Sequence, residues 1–324
     1  MRKKALFGAL LLVAGCATGG NPTTTTATTA RTDPSTTVAA STTTTGAGAF
    51  PVTVTADNGE VAVVERPDRI VSLSSVATEI LFAIGAGDQV VAVDDQSNFP
   101  PEAPMTDLSG FTPNIEAIVS YEPDLVIASY DPGELVAGLE AVGVPVILQG
   151  ASLDLDGTYT QIEVLGAATG RIAEAAELVS QMQADLQAID QEVGDRAEGL
   201  TYFHEIDDML YSITSHTFFG QVYGMFGLVS VADEADPEGF GYPQLSSEYI
   251  VAADPDLIFL ADTRYGVTAE TLEERPGWDA LTAIQEGRVF PLDSDVASRW
   301  GPRVVDFARS VADAILALET EPAG

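Results

Sequence analysis

The sequence predicts an α/β protein of two Rossmann-like lobes joined by a single long helix, with a ligand cleft between the lobes. Three observations carry this. From residue 70 onward, short unbroken runs of Val, Ile and Leu alternate with helical patterns, as strands of a parallel sheet covered on both faces do. One long amphipathic stretch at residues 168–193 interrupts that alternation near its middle. A helix-turn-strand unit occurs once on each side of it, at a constant offset of 132 residues.

The elements follow in chain order. Residues 52–54 and 61–64 alternate apolar and polar around Asp57-Asn58-Gly59, a hairpin signal. Strands are expected at 70–73, 90–93, 125–128 and 144–148. Helices are expected at 78–84, closed by Gly85 and Gly87, and at 114–120 and 134–142. The long stretch sets Ile172, Ala176, Val179, Met182, Leu186, Ile189 and Val193 three or four residues apart. As one helix of about 26 residues it would span ~39 Å. Beyond it, strands are expected at 201–203, 210–213, 257–260 and 289–292, and helices at 218–226, 247–253 and 304–318. In the repeat, Asn114-Ile115-Glu116 leads to Glu122-Pro123-Asp124-Leu125, and Ser246-Ser247-Glu248 leads to Asp254-Pro255-Asp256-Leu257. Each copy is a capped helix, a proline turn and a buried strand. A cleft between two such lobes is a common place for a small molecule.

Composition narrows the chemistry. The chain has 324 residues, 46% of them hydrophobic, with 14 Lys+Arg against 49 Asp+Glu and a formal charge of −35. So acidic a surface repels phosphate backbones, so no nucleic-acid partner is expected. Lys3 and Lys4 are the only lysines, which leaves a mature body without a P-loop or Schiff-base lysine. The single Cys excludes an intrachain disulfide and a multi-cysteine metal site.

That cysteine ends an export signal. Arg2-Lys3-Lys4 precedes an apolar run too short to cross a bilayer, which ends Leu12-Val13-Ala14-Gly15-Cys16. The pattern resembles a bacterial lipobox, with Cys16 as the lipidated first residue and a lipid anchor to the membrane. Residues 17–49 are dominated by Thr, Ala, Gly, Ser and Pro and cannot bury enough apolar surface to offset their ordering entropy. The expected organisation is a signal peptide at 1–15, a disordered tether at 16–49, an N-terminal lobe at 50–167, a linking helix at 168–197 and a C-terminal lobe at 198–324. The body is expected to be an extracytoplasmic monomer on the outer face of the cell membrane.

Several runs together resemble one known family. They are Arg69-Ile70-Val71-Ser72-Leu73-Ser74, Thr78-Glu79-Ile80-Leu81-Phe82-Ala83-Ile84-Gly85-Ala86-Gly87, Asn98-Phe99-Pro100, Gly277-Trp278, Gly287-Arg288-Val289-Phe290 and Pro302-Arg303, with both copies of the repeat. Their order over residues 66–318 resembles the cobalamin- and ferric-siderophore-binding class of ABC-importer substrate-binding proteins, whose lobes are joined by a rigid helix. The resemblance implies a bulky metal chelate as ligand (corrinoid, ferric siderophore or haem), a permease with its ATPase as partner, and neither catalysis nor a cofactor. In the family one glutamate on each lobe pairs with permease arginines. Glu116 and Glu248 match those positions, although a first-turn glutamate also favours its helix dipole. Tyr242 and Arg299 match ligand-side positions of the cobalamin-binding relatives, whereas Gln96 and Gly110 replace aromatics at or near two others.

Loops at the C-terminal strand ends should line the cleft. They carry Phe99, Phe111, Tyr130, Phe240, Tyr242, Tyr265 and Trp300, aromatics suited to a large planar or apolar ligand. Of these, Phe99, Phe111, Tyr130, Tyr242 and Trp300 are the chosen ligand contacts, together with Arg299; core plugging is the competing role for each aromatic. Arg299 could hold an anionic chelate or make a structural ion pair, and Arg303 is expected to be structural. His204 and His216, with Glu205, Asp207 and Asp208, leave a metal-dependent hydrolase as the alternative. No Gly-x-Ser-x-Gly elbow or His-Glu-x-x-His motif supports it.

Overall fold

The computed structural model describes residues 50–318. The expected signal peptide, Cys16 and the tether lie outside the described residues. An antiparallel hairpin opens the body, with β1 (Val52–Ala56) against β2 (Gly59–Val63) in the register Val54↔Val61. Five parallel strands follow: β3 (Ile70–Leu73), β4 (Val90–Asp94), β5 (Met105–Leu108), β6 (Leu125–Ala128) and β7 (Val146–Leu148), in the order β5-β4-β3-β6-β7. Helices α1 (Ser75–Ala83), α2 (Ile115–Val119) and α3 (Leu135–Glu140) connect them. After α4 (Leu155–Thr169) and α5 (Ile172–Val193) comes a second parallel sheet of β8 (Thr201–Glu205), β9 (Val229–Ser230), β10 (Leu257–Leu260) and β11 (Val289–Pro291), in the order β11-β10-β8-β9. Helices α6 (Phe218–Met225), α7 (Ser247–Ala253), α8 (Ala269–Glu273), α9 (Thr282–Gln285) and α10 (Val304–Ala317) cover it. In both sheets the strand order reverses once, between β3 and β6 and between β8 and β10. The crevice beyond the C-terminal strand ends at such a reversal is where open α/β sheets bind ligands.

Three expectations are corrected. The long helix expected at 168–193 starts later, at Ile172, because residues 168–169 end the separate helix α4. Gly170, at φ 76°, stops α4, and the chain turns back so that a Cβ on Gly166 would clash with the Ala175 methyl. The buried stripe of α5 is accordingly Ala175, Val179, Met182, Leu186, Ile189 and Val193, while Ile172 and Ala176 face solvent. The run 210–213 forms no strand and makes one antiparallel bridge, Tyr211↔Gln244. Its partner segment, with Gly239 and Gly241 at positive φ and a proline at 243, is too bent to extend the ladder.

The repeat extends below the level of residue types. The residue before each turn proline, Glu122 or Asp254, is left-handed, at φ 49° and 42°. The aspartate after each proline caps the start of the central strand of its lobe. Asp124 accepts from the Asp68 and Arg69 N–H groups at 2.9 and 3.1 Å, and Asp256 from the Thr201 N–H and hydroxyl at 2.8 Å each. Arg69 and Thr201 are themselves 132 residues apart.

One face of each sheet has its own cluster. In the first lobe it is built on Val71, Val126, Leu135 and Leu139; in the second it is built on Phe203, Ile258, Leu272 and Trp278. The other faces are not separate. Ile70, Ile80 and Leu125 of the first lobe, the α5 stripe, and Tyr202, Phe259 and Phe307 of the second belong to one continuous core. The lobes are thus fused through α5 and α10 instead of being strung on a free linker. Replacing Asp124 or Asp256 by Ala should cost about 1–3 kcal/mol through the strand-start N–H groups left unpaired. The larger loss is expected at the half-buried Asp256, as a lower urea midpoint at unchanged slope.

Candidate functional site

The first lobe's side of the cleft is built at the β3/β6 reversal. Ser74 caps α1 by accepting from the Ala77 N–H at 3.2 Å, and Ser129, beyond β6, donates to Ser74 Oγ at 2.7 Å. Beneath them Thr78 joins Ser72 and Ser97, and Ser97 donates to Asp94 at 2.6 Å. Burial raises the Asp94 carboxyl above its usual range, against the Ser97 bond that lowers it. Gly110 is required by close approach, because a Cβ there would lie 2.6 Å from the Leu73 carbonyl oxygen. That approach brings the following Phe111 beside Tyr130, with stacked rings 5.5 Å apart. Both rings are largely exposed, Phe111 by 62%. They line a pocket of about 180 Å³ with Gln96, Arg264, Arg299 and Trp300.

A second pocket of about 330 Å³ continues from the first across Arg264, Ser298 and Trp300 into the other lobe. Its walls are Phe218, Phe219, Ile206, Ile213, Tyr242 and Tyr265, with His204 at the β8/β10 reversal. Burial raises the Tyr242 phenol above its ordinary value. His204 is 1% exposed, and its Nδ1 lies 2.9 Å from the Tyr223 hydroxyl. Burial pushes its imidazole down to about 3, so it is neutral at physiological pH. Next in sequence, Glu205 is buried and accepts both terminal nitrogens of Arg275, at 2.7 and 2.6 Å. Asp262 is also buried, with its carboxyl close to that of Glu205. Burial first, and the Glu205 charge second, push its carboxyl up to about 7.

The lobes meet over a buried ion cluster. The Glu79 side chain, 1% exposed on α1, accepts from Arg299 Nη1 at 2.8 Å, Arg303 Nε at 2.9 Å and Arg303 Nη2 at 2.6 Å. Arg299 also donates to the Gln96 carbonyl at 3.0 Å and pairs with Asp295 at 3.2 Å. Asp295 in turn holds Arg264 at 3.0 Å and the Asn98 amide at 2.7 Å. Burial raises Asp295, but Asn98, Arg299 and Arg264 together bring it below its usual value. Each arginine that reaches the cleft is therefore already matched by a carboxylate.

Phe111, Tyr130, Arg299 and Trp300 line the first pocket, and Tyr242 and Trp300 the second. Phe99 lines neither; its ring lies under the Arg303 guanidinium at 4.3 Å. Arg299 lines the cleft with its charge committed to Glu79. Phe240 is exposed outside both pockets. Glu116 and Glu248 are exposed in the first turns of α2 and α7. The residues of the hydrolase alternative are engaged elsewhere, His204 with Tyr223 and Glu205 with Arg275, while His216 is exposed. No group of three metal-ligating side chains exists among the described residues. Glu79 and Arg264 went unnoticed in the sequence, and Glu79 had no signal: its partners lie 220 and 224 residues away.

Fold and site together define a bilobed α/β binding protein with a cleft that opens at both strand-order reversals. The chain belongs to the periplasmic binding protein family, whose model matches residues 70–296, a family of transport solute-binding proteins. It is 31% identical over 276 residues to an uncharacterized ABC transporter substrate-binding lipoprotein of Bacillus subtilis, covering 82% of this chain and 86% of that one. It is 30% identical over 284 residues to a cobalamin-binding protein of Halobacterium salinarum, covering 82% and 74%. The crystal structure of the periplasmic vitamin B12 binding protein of Vibrio cholerae superposes with a TM-score of 0.66 at 26% identity, covering 79% of this chain and 99% of that one. No helix among the described residues is long and apolar enough to cross a membrane.

Two outcomes follow from the buried charges. Glu79→Gln should lower stability by about 3–5 kcal/mol in chemical denaturation, because two arginines lose their shared counter-charge. Asp262 keeps its proton in the folded chain up to about pH 7, whereas the unfolded chain releases it near 3.8. Its contribution to stability therefore falls as pH rises from about 4 to 7, by about 1.4 kcal/mol per unit of separation. Asp262→Asn should match the wild type near pH 4 and exceed it in melting temperature above pH 7.

Proposed function

We propose that this chain is the extracytoplasmic substrate-binding lipoprotein of an ABC importer, which captures a metal chelate in the cleft and hands it to the permease. Corrinoids are the best-supported ligand class. The observation that carries this is the character of the cleft: walls of Phe111, Tyr130, Tyr242, Tyr265 and Trp300 around arginines already paired with Glu79 and Asp295. Aromatic faces favour a large, partly planar ligand. Paired arginines leave little positive charge for a polyanionic ferric catecholate or for haem propionates. A bulky chelate without net negative charge suits both properties, and the name of the Halobacterium relative points the same way. The proposed lipid at Cys16 and the tether of residues 16–49 would hold the body at the outer membrane face. The proposed bounds of the lobes are 50–167 and 198–324, with 168–197 between them.

Tryptophan fluorescence tests the ligand. Trp278 is fully buried, donates to Ser247 Oγ and lies under Arg275 at 4.6 Å, so of the two tryptophans only Trp300 can report on the cleft. Saturable quenching by cyanocobalamin, lost in Trp300→Phe, is the expected result. Quenching by a ferric hydroxamate or haem instead would move the ligand class, and quenching by none would sink the chelate reading. For docking, Glu116→Lys or Glu248→Lys should lower uptake into cells by at least about ten-fold, since like charges across an interface cost several kcal/mol. Ligand affinity should not change, and a loss of affinity would refute docking as the role of these glutamates.

A further inference from the structure

The second-lobe end of the cleft is apolar apart from a few groups, and two ring nitrogens of its lining residues have no acceptor among the described residues. Both residues line the pocket of about 330 Å³. The first nitrogen is Trp300 Nε1, buried and without a hydrogen-bond partner among the described residues. Its main chain is held, because the Trp300 carbonyl accepts from the Thr158 hydroxyl at 2.8 Å. An indole nitrogen can only donate. The second is His204 Nε2. The imidazole is 1% exposed, and its one hydrogen bond is made by Nδ1 to Tyr223.

The tautomer of His204 follows from Tyr223. That phenol is fully buried, stacked on Tyr202 at 4.1 Å and edge-on to Phe307. Among the described residues its hydroxyl has no partner other than His204 Nδ1. If Nδ1 carried the proton, the hydroxyl would accept it and its own O–H would be left unpaired in an aromatic core. If the hydroxyl donates to Nδ1, both atoms of that bond are satisfied and the imidazole proton resides on Nε2. Burial keeps the Tyr223 phenol protonated and therefore able to donate. It also keeps the imidazole neutral.

We propose that this end of the cleft is a donor-lined subsite for uncharged oxygen acceptors on the periphery of the ligand, His204 supplying Nε2–H and Trp300 supplying Nε1–H. Carboxamide carbonyls are the class that fits. They accept without bringing negative charge into a region whose arginines are already paired, and an acceptor there satisfies the His204 Nε2–H and the buried Trp300 Nε1–H, which has no other partner among the described residues. The same assignment gives His204 a role opposite to metal ligation, since an Nε2 that carries a proton has no lone pair for iron or cobalt. The inference rests on the chelate reading of the cleft, but the histidine tautomer can be measured without any ligand.

The experiment therefore has two arms on the full chain. Nitrogen-15 NMR of histidine-labelled protein, with His216→Gln to assign the two histidines, should show His204 with an unprotonated Nδ1 and a protonated Nε2, unchanged between pH 5 and 8. An Nδ1–H tautomer, or titration within that range, would overturn the donor assignment. In the second arm, calorimetric titration with cyanocobalamin should give affinities about ten-fold weaker for His204→Leu and for Trp300→Phe, and within about three-fold of wild type for His204→Gln, whose amide still donates. Unchanged affinity in both donor-less variants would overturn the subsite. So would a hemin complex whose absorption shows histidine coordination that is lost in His204→Leu. Should His204→Leu fail to fold, Trp300→Phe and the tautomer decide. If no probe binds, the chelate reading fails, and the nitrogen shifts alone decide the assignment of His204.

Discussion

A carboxylate with almost no exposed surface holds the two halves of this protein in register. Removing Glu79 from water costs several kcal/mol unless its charge is matched, and the match comes from Arg299 and Arg303, more than 200 residues further along the chain. Its bonds also fix what lies around them. Arg299 reaches on to the Gln96 carbonyl and to Asp295, and Asp295 to Asn98 and Arg264. The Arg303 guanidinium covers Phe99. Loops from both lobes thus take their positions from one buried negative charge. Trp300, between the two arginines and the start of α10, is set where the two pockets meet.

The core repeats that constraint in apolar form. One cluster runs from the first sheet through α5 and α10 to the second sheet. Rotating one lobe against the other would expose buried surface, at about 25 cal/mol per Å². The two strand-order reversals are therefore anchored in one continuous core. Where ordinary binding clefts combine apolar walls with a few placed polar groups, this one sets its aromatics toward the opening and His204 at the end of a central strand.

Much of this was legible in the sequence because it is local. Valine and isoleucine runs mark the strands, Asn114 and Ser246 cap their helices as their types suggest, and the repeat foreshadowed the two lobes. The break between α4 and α5 was carried by Gly170 alone, inside a pattern that was helical on both sides. The run 210–213 has strand composition, but its partner segment cannot stay straight, which composition does not reveal. Within the cleft, the aromatics at strand ends could be named because topology places strand ends there. Arg299 could be singled out for its rarity and was expected at the ligand, but its pairing with Glu79, an ordinary helix glutamate until the chain folds around it, was not visible. His204 carried only the alternative of a metal site in the sequence, and its bond to Tyr223 is visible only in the fold.

The fusion of the lobes through one core also settles where the work of transport must be done. A binding protein that opens like a jaw can let its cargo go by relaxing. A body held by shared apolar packing and a buried ion cluster has no such spring. Its cleft is lined by groups from both lobes that one core and one ion cluster hold in place. Widening such a cleft would mean parting packed apolar surface, at about 25 cal/mol per Å² exposed.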